Sequence, residues 1–177
     1  MITDGTSPQV VEVRDAEAAD LPAVHELVRA AYAEFEPWLT PANWIQMTSN
    51  IAKVIAPGAP GRMRVAWLDG KLAGTVTYLP PGPKDYQRVP PEWAVIRVLA
   101  VDPGLRRRGV ARALTEDCLA LAREDRAPAV GLHTAPMMLA ARALYERAGF
   151  VHSYDFTHLD LQFSVYMLDL RNPPHRD

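Results

Sequence analysis

Residues 94 to 114 read Ala-Val-Ile-Arg-Val-Leu-Ala-Val-Asp-Pro-Gly-Leu-Arg-Arg-Arg-Gly-Val-Ala-Arg-Ala-Leu, and the rest of the chain is interpreted from this stretch. Its first part, residues 94–101, is nearly all apolar and rich in β-branched side chains, which predicts a strand covered on both faces. Asp102, Pro103 and Gly104 end that strand, and a helix is expected to begin near Gly109. The stretch is therefore a strand, a turn and a helix N-terminus.

This order of elements predicts an anion site at the turn. The first amides of a helix have no acceptor within the helix, and the helix dipole favours negative charge there. The arginines Arg106 to Arg108 add positive charge, and the small residues Gly109 and Ala111 leave room for another molecule to approach the backbone. A merely solvated basic turn would not require small residues at this spacing. We interpret the turn as a pyrophosphate cradle.

Length and composition limit the classes of function. The 177 residues, 49% of them hydrophobic, fit one domain over 1–177, with flexible ends at 1–8 and 172–177. A net charge of −2 gives no general attraction to nucleic acid or to an anionic membrane. No signal peptide pattern or membrane span is recognised, so we expect a cytoplasmic protein. The single cysteine, Cys118, falls in an apolar helical stripe and is expected to be a core residue.

Outward from the central stretch, the periodicity predicts alternating strands and helices. The predicted elements are a strand at 10–13, a helix from Asp20, a helix at 41–56, a hairpin at 63–78 around Asp69-Gly70, a surface excursion at 80–91, the central strand, a helix to 126, a strand at 128–132, a helix from Pro136 capped by Gly149, and a terminal hairpin within 154–170. This order predicts a mixed sheet with helices on both faces.

Two motifs resemble those of the GCN5-related N-acetyltransferase (GNAT) family. The first is Arg106-x-x-Gly109-x-Ala111 preceded by Leu99-Ala100-Val101-Asp102-Pro103, and the second is Ala141-x-x-Leu144-Tyr145-Glu146-x-x-Gly149-Phe150. They occur in the family's order and are joined by a helix and a strand. The resemblance implies an α/β fold with a mixed, mostly antiparallel central sheet flanked by helices on both faces. It also implies that acyl-CoA occupies a gap between two splayed strands. P-loop and dinucleotide-binding motifs are absent from the sequence.

The resemblance further implies an activity, a cosubstrate and a set of site residues. The activity is direct transfer of an acetyl group from acetyl-CoA to a primary amine in a ternary complex. Tyr145 would be the general acid that serves the leaving thiolate, and the backbone amide of Leu99 would stabilise the oxyanion. The residues expected to bind the cosubstrate are Leu99, Ala100, Val101, Arg106, Arg107, Arg108, Gly109, Val110, Ala111, Arg112, Met138 and Tyr145. No metal ligand is expected.

The sequence departs from the family pattern at two positions. Met138 stands where many members have an asparagine, and Val95 stands where some have a glutamate base. The base is therefore open, with Glu92 and His133 as candidates. Arg97 is an unusual charge in an apolar strand, and it either pairs with a carboxylate such as Asp155 or binds a carboxylate of the substrate.

The segments expected to select the acceptor are residues 34–44 and 80–93. They combine the acidic residues Glu34, Glu36, Asp85 and Glu92 with the aromatic residues Trp38, Trp44, Tyr86 and Trp93. Such a set suits an amine with an apolar body, although surface loops anchored by aromatic residues have the same composition. Two other functions stay open, a non-catalytic acyl-CoA-binding or sensor module and a domain that binds another nucleotide. The resemblance also allows a homodimer.

Overall fold

The computed structural model describes residues 10–85 and 88–172. The predicted flexible ends, apart from Asn172, lie outside these residues, so the prediction of one domain over 1–177 stays a prediction. The helices and strands of the described residues are β1 (Val11–Asp15), α1 (Leu21–Tyr32), α2 (Pro41–Val54), β2 (Arg62–Leu68), β3 (Lys71–Leu79), β4 (Ala94–Val101), α3 (Val110–Glu124), β5 (Ala129–Thr134), α4 (Leu139–Arg147), β6 (Val151–His158) and β7 (Leu161–Asp169).

The seven strands form one sheet in the order β1-β2-β3-β4-β5-β7-β6. Every neighbouring pair is antiparallel except β4 and β5, which are parallel. Apolar residues of α3 and α4 pack on one face of this sheet, and those of α1 pack on the other. The predicted mixed, mostly antiparallel sheet with helices on both faces is confirmed.

Helix α1 is amphipathic, as its sequence predicts. Val24, Leu27, Val28 and Ala31 are buried along one face, which packs on the sheet beside β4. Asp20 is the N-cap residue of this helix, but its side chain makes no capping hydrogen bond to it. Its carboxylate accepts from Arg14 at 2.7 Å and from the Glu17 amide at 2.8 Å, so it stabilises the short 3₁₀ turn before α1.

Left-handed residues close two of the predicted elements. Asp69 and Gly70 have φ angles of 51° and 73°, which form the tight turn of the β2–β3 hairpin. Gly149 has φ 99° and ends α4, where the Phe150 amide donates to the Tyr145 carbonyl at 3.0 Å. Both predictions are confirmed. Helix α4 nevertheless begins at Leu139, so Met138 lies at its N-cap rather than on the helical face of Tyr145.

Cys118 is fully buried in the core between α3 and the sheet. Burial raises the pKa of its thiol well above the usual value, so the thiol is inert and the prediction of a core cysteine is confirmed. Among the described residues, no helix is both long and apolar enough to cross a membrane.

Candidate functional site

The parallel strands β4 and β5 separate soon after they meet. Their register pairs only Ala94 with Val130 and Val95 with Gly131, although β4 continues to Val101 and β5 to Thr134. A cavity of about 1720 Å³ opens at this gap and extends along the turn after β4 and along α4. Ordinary pockets for one small molecule measure roughly 300–1,000 Å³, so this cavity has room for two ligands.

A β-bulge in β4 lies beside the gap. Thr75 pairs with Ala100 and Thr77 pairs with Arg97, so one residue of β3 faces both Val98 and Leu99. Val98 has φ 51°, a conformation that is unfavourable for a β-branched residue. The bulge takes Leu99 out of the regular ladder and turns this part of the backbone towards the cavity. No pattern in the sequence indicates the bulge.

The turn after β4 presents the N-terminus of α3 to the cavity. Gly109 is the N-cap of this helix, with φ 80°, and no side chain caps it. A Cβ atom on Gly109 would meet no atom within 4 Å, so the left-handed conformation is what requires glycine here, rather than lack of space. The Asp102 carboxylate accepts from the Gly104 amide at 2.7 Å and shapes the turn. The first amides of α3 can therefore bind an anion.

The arginines of the turn have different surroundings. Arg106 forms two hydrogen bonds with the Glu34 carboxylate, at 3.0 and 2.9 Å, and Arg112 pairs with Glu116 at 2.8 Å. Arg107 lines the cavity, whereas Arg108 is exposed and does not. Every other residue expected to bind the cosubstrate lies on the cavity wall.

Tyr145 reaches the cavity from the last turns of α4. Its side chain is only 5% exposed, and its ring packs edge-on against Phe150 at 5.6 Å between centroids. Burial, and then the nearby Tyr32 hydroxyl, raises the pKa of Tyr145 well above its usual value. The phenol therefore keeps its proton at neutral pH and can act as a hydrogen-bond donor.

One group of residues on the cavity wall is connected by ring contacts and by the charges of its arginines, and we call this part of the wall the acceptor half. It consists of Tyr32, Phe35, Arg88, Arg97, His133, Phe156 and Phe163. The Tyr32 hydroxyl lies 3.5 Å from the Leu99 carbonyl, and burial raises the pKa of Tyr32 to about 12 against the opposing charge of Arg97. Tyr32 was missed in the sequence, although it lies four residues after Val28 and so continues the apolar stripe of α1.

His133 lies in an aromatic part of the acceptor half. Its ring meets those of Phe156 and Phe163 edge-on, with centroids 5.7 and 5.5 Å apart. Burial is the main cause that lowers the pKa of His133 to about 3, and the charges of Arg97 and Arg88 act in the same direction. His133 is therefore neutral at physiological pH.

A contact between α2 and the β6–β7 turn lies next to residues of the cavity wall. The Asn43 side-chain amide donates to the Leu159 carbonyl at 3.1 Å and to the Asp160 carboxylate at 2.8 Å. Leu159 and His158 lie on the cavity wall beside this contact. Asn43 thus fixes the hairpin turn against α2.

Asp155 was one of the two groups expected to interact with Arg97. Its carboxylate accepts from His152 at 2.8 Å and from Ser164 at 2.7 Å. Hydrogen bonds from these two residues are the main causes that lower the pKa of Asp155. The contacts of Asp155 therefore do not support a structural pair with Arg97, which lines the cavity instead.

The two segments expected to select the acceptor contribute only part of the wall. Among their described residues, the cavity wall includes Glu34, Phe35, Asp85 and Arg88, and it includes none of the tryptophans. Tyr86 lies outside the described residues. Glu92, a candidate base, is exposed and is not brought to the cavity. The aromatic wall comes from β6 and β7, which were predicted only as a hairpin.

Comparisons with known proteins agree with this fold. The model of the acetyltransferase (GNAT) family matches residues 21–150. A GCN5-related N-acetyltransferase from Kribbella flavida is 27% identical, with 90% of this chain and 98% of that chain covered and a TM-score of 0.64. The ribosomal-protein-S18-alanine N-acetyltransferase from Escherichia coli is 22% identical, with 91% and 94% covered and a TM-score of 0.64.

An N-acetyltransferase from Staphylococcus aureus Mu50 is 18% identical, with 91% of this chain and 99% of that chain covered and a TM-score of 0.66. Likeness at this level of identity shows a common fold. No curated protein matches the chain.

Proposed function

The chain belongs to the GNAT acetyltransferase family, and from this premise we propose that it transfers an acetyl group from acetyl-CoA to a primary amine within a ternary complex. The observation that carries the proposal is the gap between β4 and β5, which joins an uncapped helix N-terminus to the bulge at Val98. A long, phosphorylated thioester needs an anion site for its phosphates. Along the rest of its length it needs strand backbone that is not paired with another strand.

Acetyl-CoA would lie along the turn and the gap. The amides at the start of α3 suit its pyrophosphate, and Arg107 lies on the wall to meet the same charges. The backbone of Leu99, Ala100 and Val101 suits the amide-containing pantetheine arm, because parts of that backbone are not paired with β5. Arg106 and Arg112 would act less directly, since each already binds a carboxylate.

The chemistry is the attack of a neutral amine on the thioester carbon. A C–N bond forms, the C–S bond breaks, and the thiolate of CoA leaves. The amide of Leu99 is assigned to the oxyanion of the tetrahedral intermediate, where one such donor contributes about 3 kcal/mol. Tyr145 is assigned to the leaving sulfur, because its buried phenol keeps a proton with which it can donate a hydrogen bond that stabilises the thiolate.

The amine must lose a proton before it attacks. His133 is a poor base for this step, since its pKa of about 3 lies far below that of an alkylammonium group. Glu92 lies outside the cavity. We therefore assign proton removal to water, assisted by the positive charges of Arg88 and Arg97, which lower the pKa of an ammonium group bound beside them.

An acyl-CoA-binding or sensor module without catalysis is the alternative that Val95 favours, because no glutamate occupies that position. Two measurements decide between the functions. Acetyl-CoA, ATP and NAD are compared by thermal shift, and release of CoA thiol is followed across a panel of primary amines. Stabilisation by acetyl-CoA together with thiol release supports the transferase. Stabilisation without thiol release from any amine supports the sensor module, and stabilisation by ATP or NAD alone contradicts both.

The partners and the location are part of the same proposal. Acetyl-CoA and an amine are the two substrates, nucleic acid and membranes are not partners, and the reaction takes place in the cytoplasm. The homodimer allowed by the family resemblance stays a prediction, and sedimentation of the purified chain would measure it.

A further inference from the structure

We propose that the amine acceptor also carries a carboxylate or a similar oxyanion, and that the Arg97 guanidinium binds this group in the acceptor half of the cavity. The inference rests on the acetyl transfer proposed above and names the chemical class of its acceptor. It is carried by the position of Arg97, by the charges around it and by the aromatic wall opposite.

Arg97 is placed to hold the acceptor next to the reacting carbonyl. It lies on β4 two residues before Leu99, and both residues line the cavity. The bulge at Val98 lies between these two residues, so both belong to one short stretch of the cavity wall. A short acceptor such as an amino acid can bind Arg97 through its anion and present its amine to a thioester held at Leu99.

Most carboxylates of the cavity wall pair with arginines at the turn after β4 and the start of α3. Within the described part of the chain, the carboxylates on the wall are Glu34, Asp85 and Glu116. Glu34 binds Arg106 and Glu116 binds Arg112, so these two neutralise the arginines of the turn. Asp85, the third of them, is exposed.

The acceptor half has an excess of positive charge. Arg88 and Arg97 both lie on its wall, against the single exposed carboxylate of Asp85 in the described residues. In the part of the chain that the structure describes, Tyr32 and His133 sense the charge of Arg97, and both are neutral at physiological pH because their pKa values are about 12 and about 3. An anion is therefore attracted to this half, and a second cation is disfavoured.

The guanidinium group suits a carboxylate ligand. It has five N–H donors in a planar fork whose geometry matches the two oxygens of a carboxylate. A lysine would offer the charge without the fork. The half-buried position of Arg97 strengthens such a bond, because water screens it less than at the surface.

The rest of the wall of the acceptor half indicates that the acceptor has an apolar part between its anionic group and the solvent. Phe35, Phe156 and Phe163 line the acceptor half, and Phe156 stacks with Phe163 at 5.4 Å between centroids. The Arg88 guanidinium lies over the Phe156 ring at 4.2 Å, which keeps its charge near the edge of this aromatic surface. An amino acid with an apolar or aromatic side chain matches all three features.

The first test compares matched acceptors with the unmodified protein. Phenylalanine and leucine are each paired with the corresponding amino acid amide, and kcat/KM is measured by thiol release from acetyl-CoA. We expect kcat/KM to be at least about tenfold higher for the acid than for its amide. The comparison is conservative, because the amide has the lower ammonium pKa and thus more neutral amine at pH 7.5.

The second test uses Arg97→Gln, with Arg29→Gln as the matched control. Arg29 is 77% exposed on α1 and pairs with Glu26, outside the cavity wall. Arg97→Gln should raise KM for the acids at least about tenfold and abolish the preference for acids over amides, while the thermal shift produced by acetyl-CoA stays. Arg97→Lys should recover part of the preference, and Arg29→Gln should keep all of it.

The outcomes separate the two proposals. If no amine of the panel, including these acids and amides, releases thiol, the transferase itself is rejected. If other primary amines release thiol but the acids do not, the transferase stands and the anionic acceptor is overturned. If acceptors are used but the amides react as well as the acids, or if a folded Arg97→Gln protein keeps the preference, the transferase stands and the anionic acceptor is overturned. The comparison with the unmodified protein decides even if Arg97→Gln does not fold.

Discussion

At the scale of single residues, two tyrosines show how position decides function. Tyr145 and Tyr78 are both almost completely buried, and burial raises the pKa of each phenol. The Tyr78 hydroxyl donates to Asp125 at 2.6 Å, away from the cavity wall, whereas Tyr145 lines the cavity. The same side chain is therefore a structural donor in one place and a candidate acid in the other.

This comparison gives the first prediction. Tyr145→Phe should lower kcat about 100-fold, because the leaving thiolate loses its donor, and should leave the affinity for CoA almost unchanged. Tyr78→Phe is the matched control, since it loses a hydrogen bond to a carboxylate and should lower the free energy of unfolding by about 1.5–3 kcal/mol without changing kcat. Equal kcat values for Tyr145→Phe and the unmodified protein would remove Tyr145 from the mechanism.

At the scale of elements, the turn between β4 and α3 was predictable in its order but not in all of its geometry. The residues Asp102, Pro103 and Gly109 indicated where the strand ends and the helix begins, because their backbone preferences are local. The bulge at Val98 and the pairing of Arg106 with Glu34 depend on β3 and on the segment after α1. Contacts with residues distant in sequence determine both features, so no local sequence pattern could predict them.

The prediction at this scale concerns Gly109. Gly109→Ala places a Cβ atom in open space but at φ 80°, which should cost about 1–2 kcal/mol of stability and displace the first amides of α3. We expect a several-fold loss of CoA affinity, measured by calorimetry. Gly70→Ala is the matched control, because Gly70 has φ 73°, also with open space, in a hairpin turn outside the cavity wall.

Gly70→Ala should lose similar stability in thermal denaturation and keep its CoA affinity. If both variants bind CoA as well as the unmodified protein, the amides at the start of α3 do not form the anion site.

At the scale of the whole molecule, the sheet brings together residues far apart in sequence. Tyr32 belongs to α1, Arg97 to β4, and Phe156 and Phe163 to β6 and β7. These residues line one cavity of a sheet in which β5 lies between β4 and β7. The tryptophans of the two irregular segments were expected to provide this wall. They do not line it, and the phenylalanines of the β6–β7 hairpin, whose turn Asn43 binds, do.

The global prediction concerns acid stability. His133 has a folded pKa of about 3 against about 6.5 when unfolded, so below pH 6.5 the unfolded chain binds a proton that the folded chain does not. Stability from this group is complete above pH 6.5 and decreases as pH falls towards 3. Asp15, whose pKa is lowered to about 2 by hydrogen bonds from Arg62 and then Arg64, adds a further loss below pH 4.

Urea unfolding at pH 7, 6, 5 and 4 measures this effect. The free energy of unfolding should decrease by at most about 1.4 kcal/mol per pH unit from His133, and His133→Gln should have a shallower slope between pH 6 and 5. Identical slopes for the two proteins in this interval would contradict the lowered pKa of His133.

The sequence by itself determined the strand–turn–helix of residues 94–114, the family, the fold and the position of Tyr145 on the last turns of a helix. These depend on periodicity, on backbone preferences of glycine and proline, and on spacing within a few turns. Only the tertiary structure decided that β4 is bulged, that Glu92 lies outside the cavity and that Arg97 and His133 face a common acceptor half. Those features depend on contacts between distant segments, whose free energies no local stretch contains.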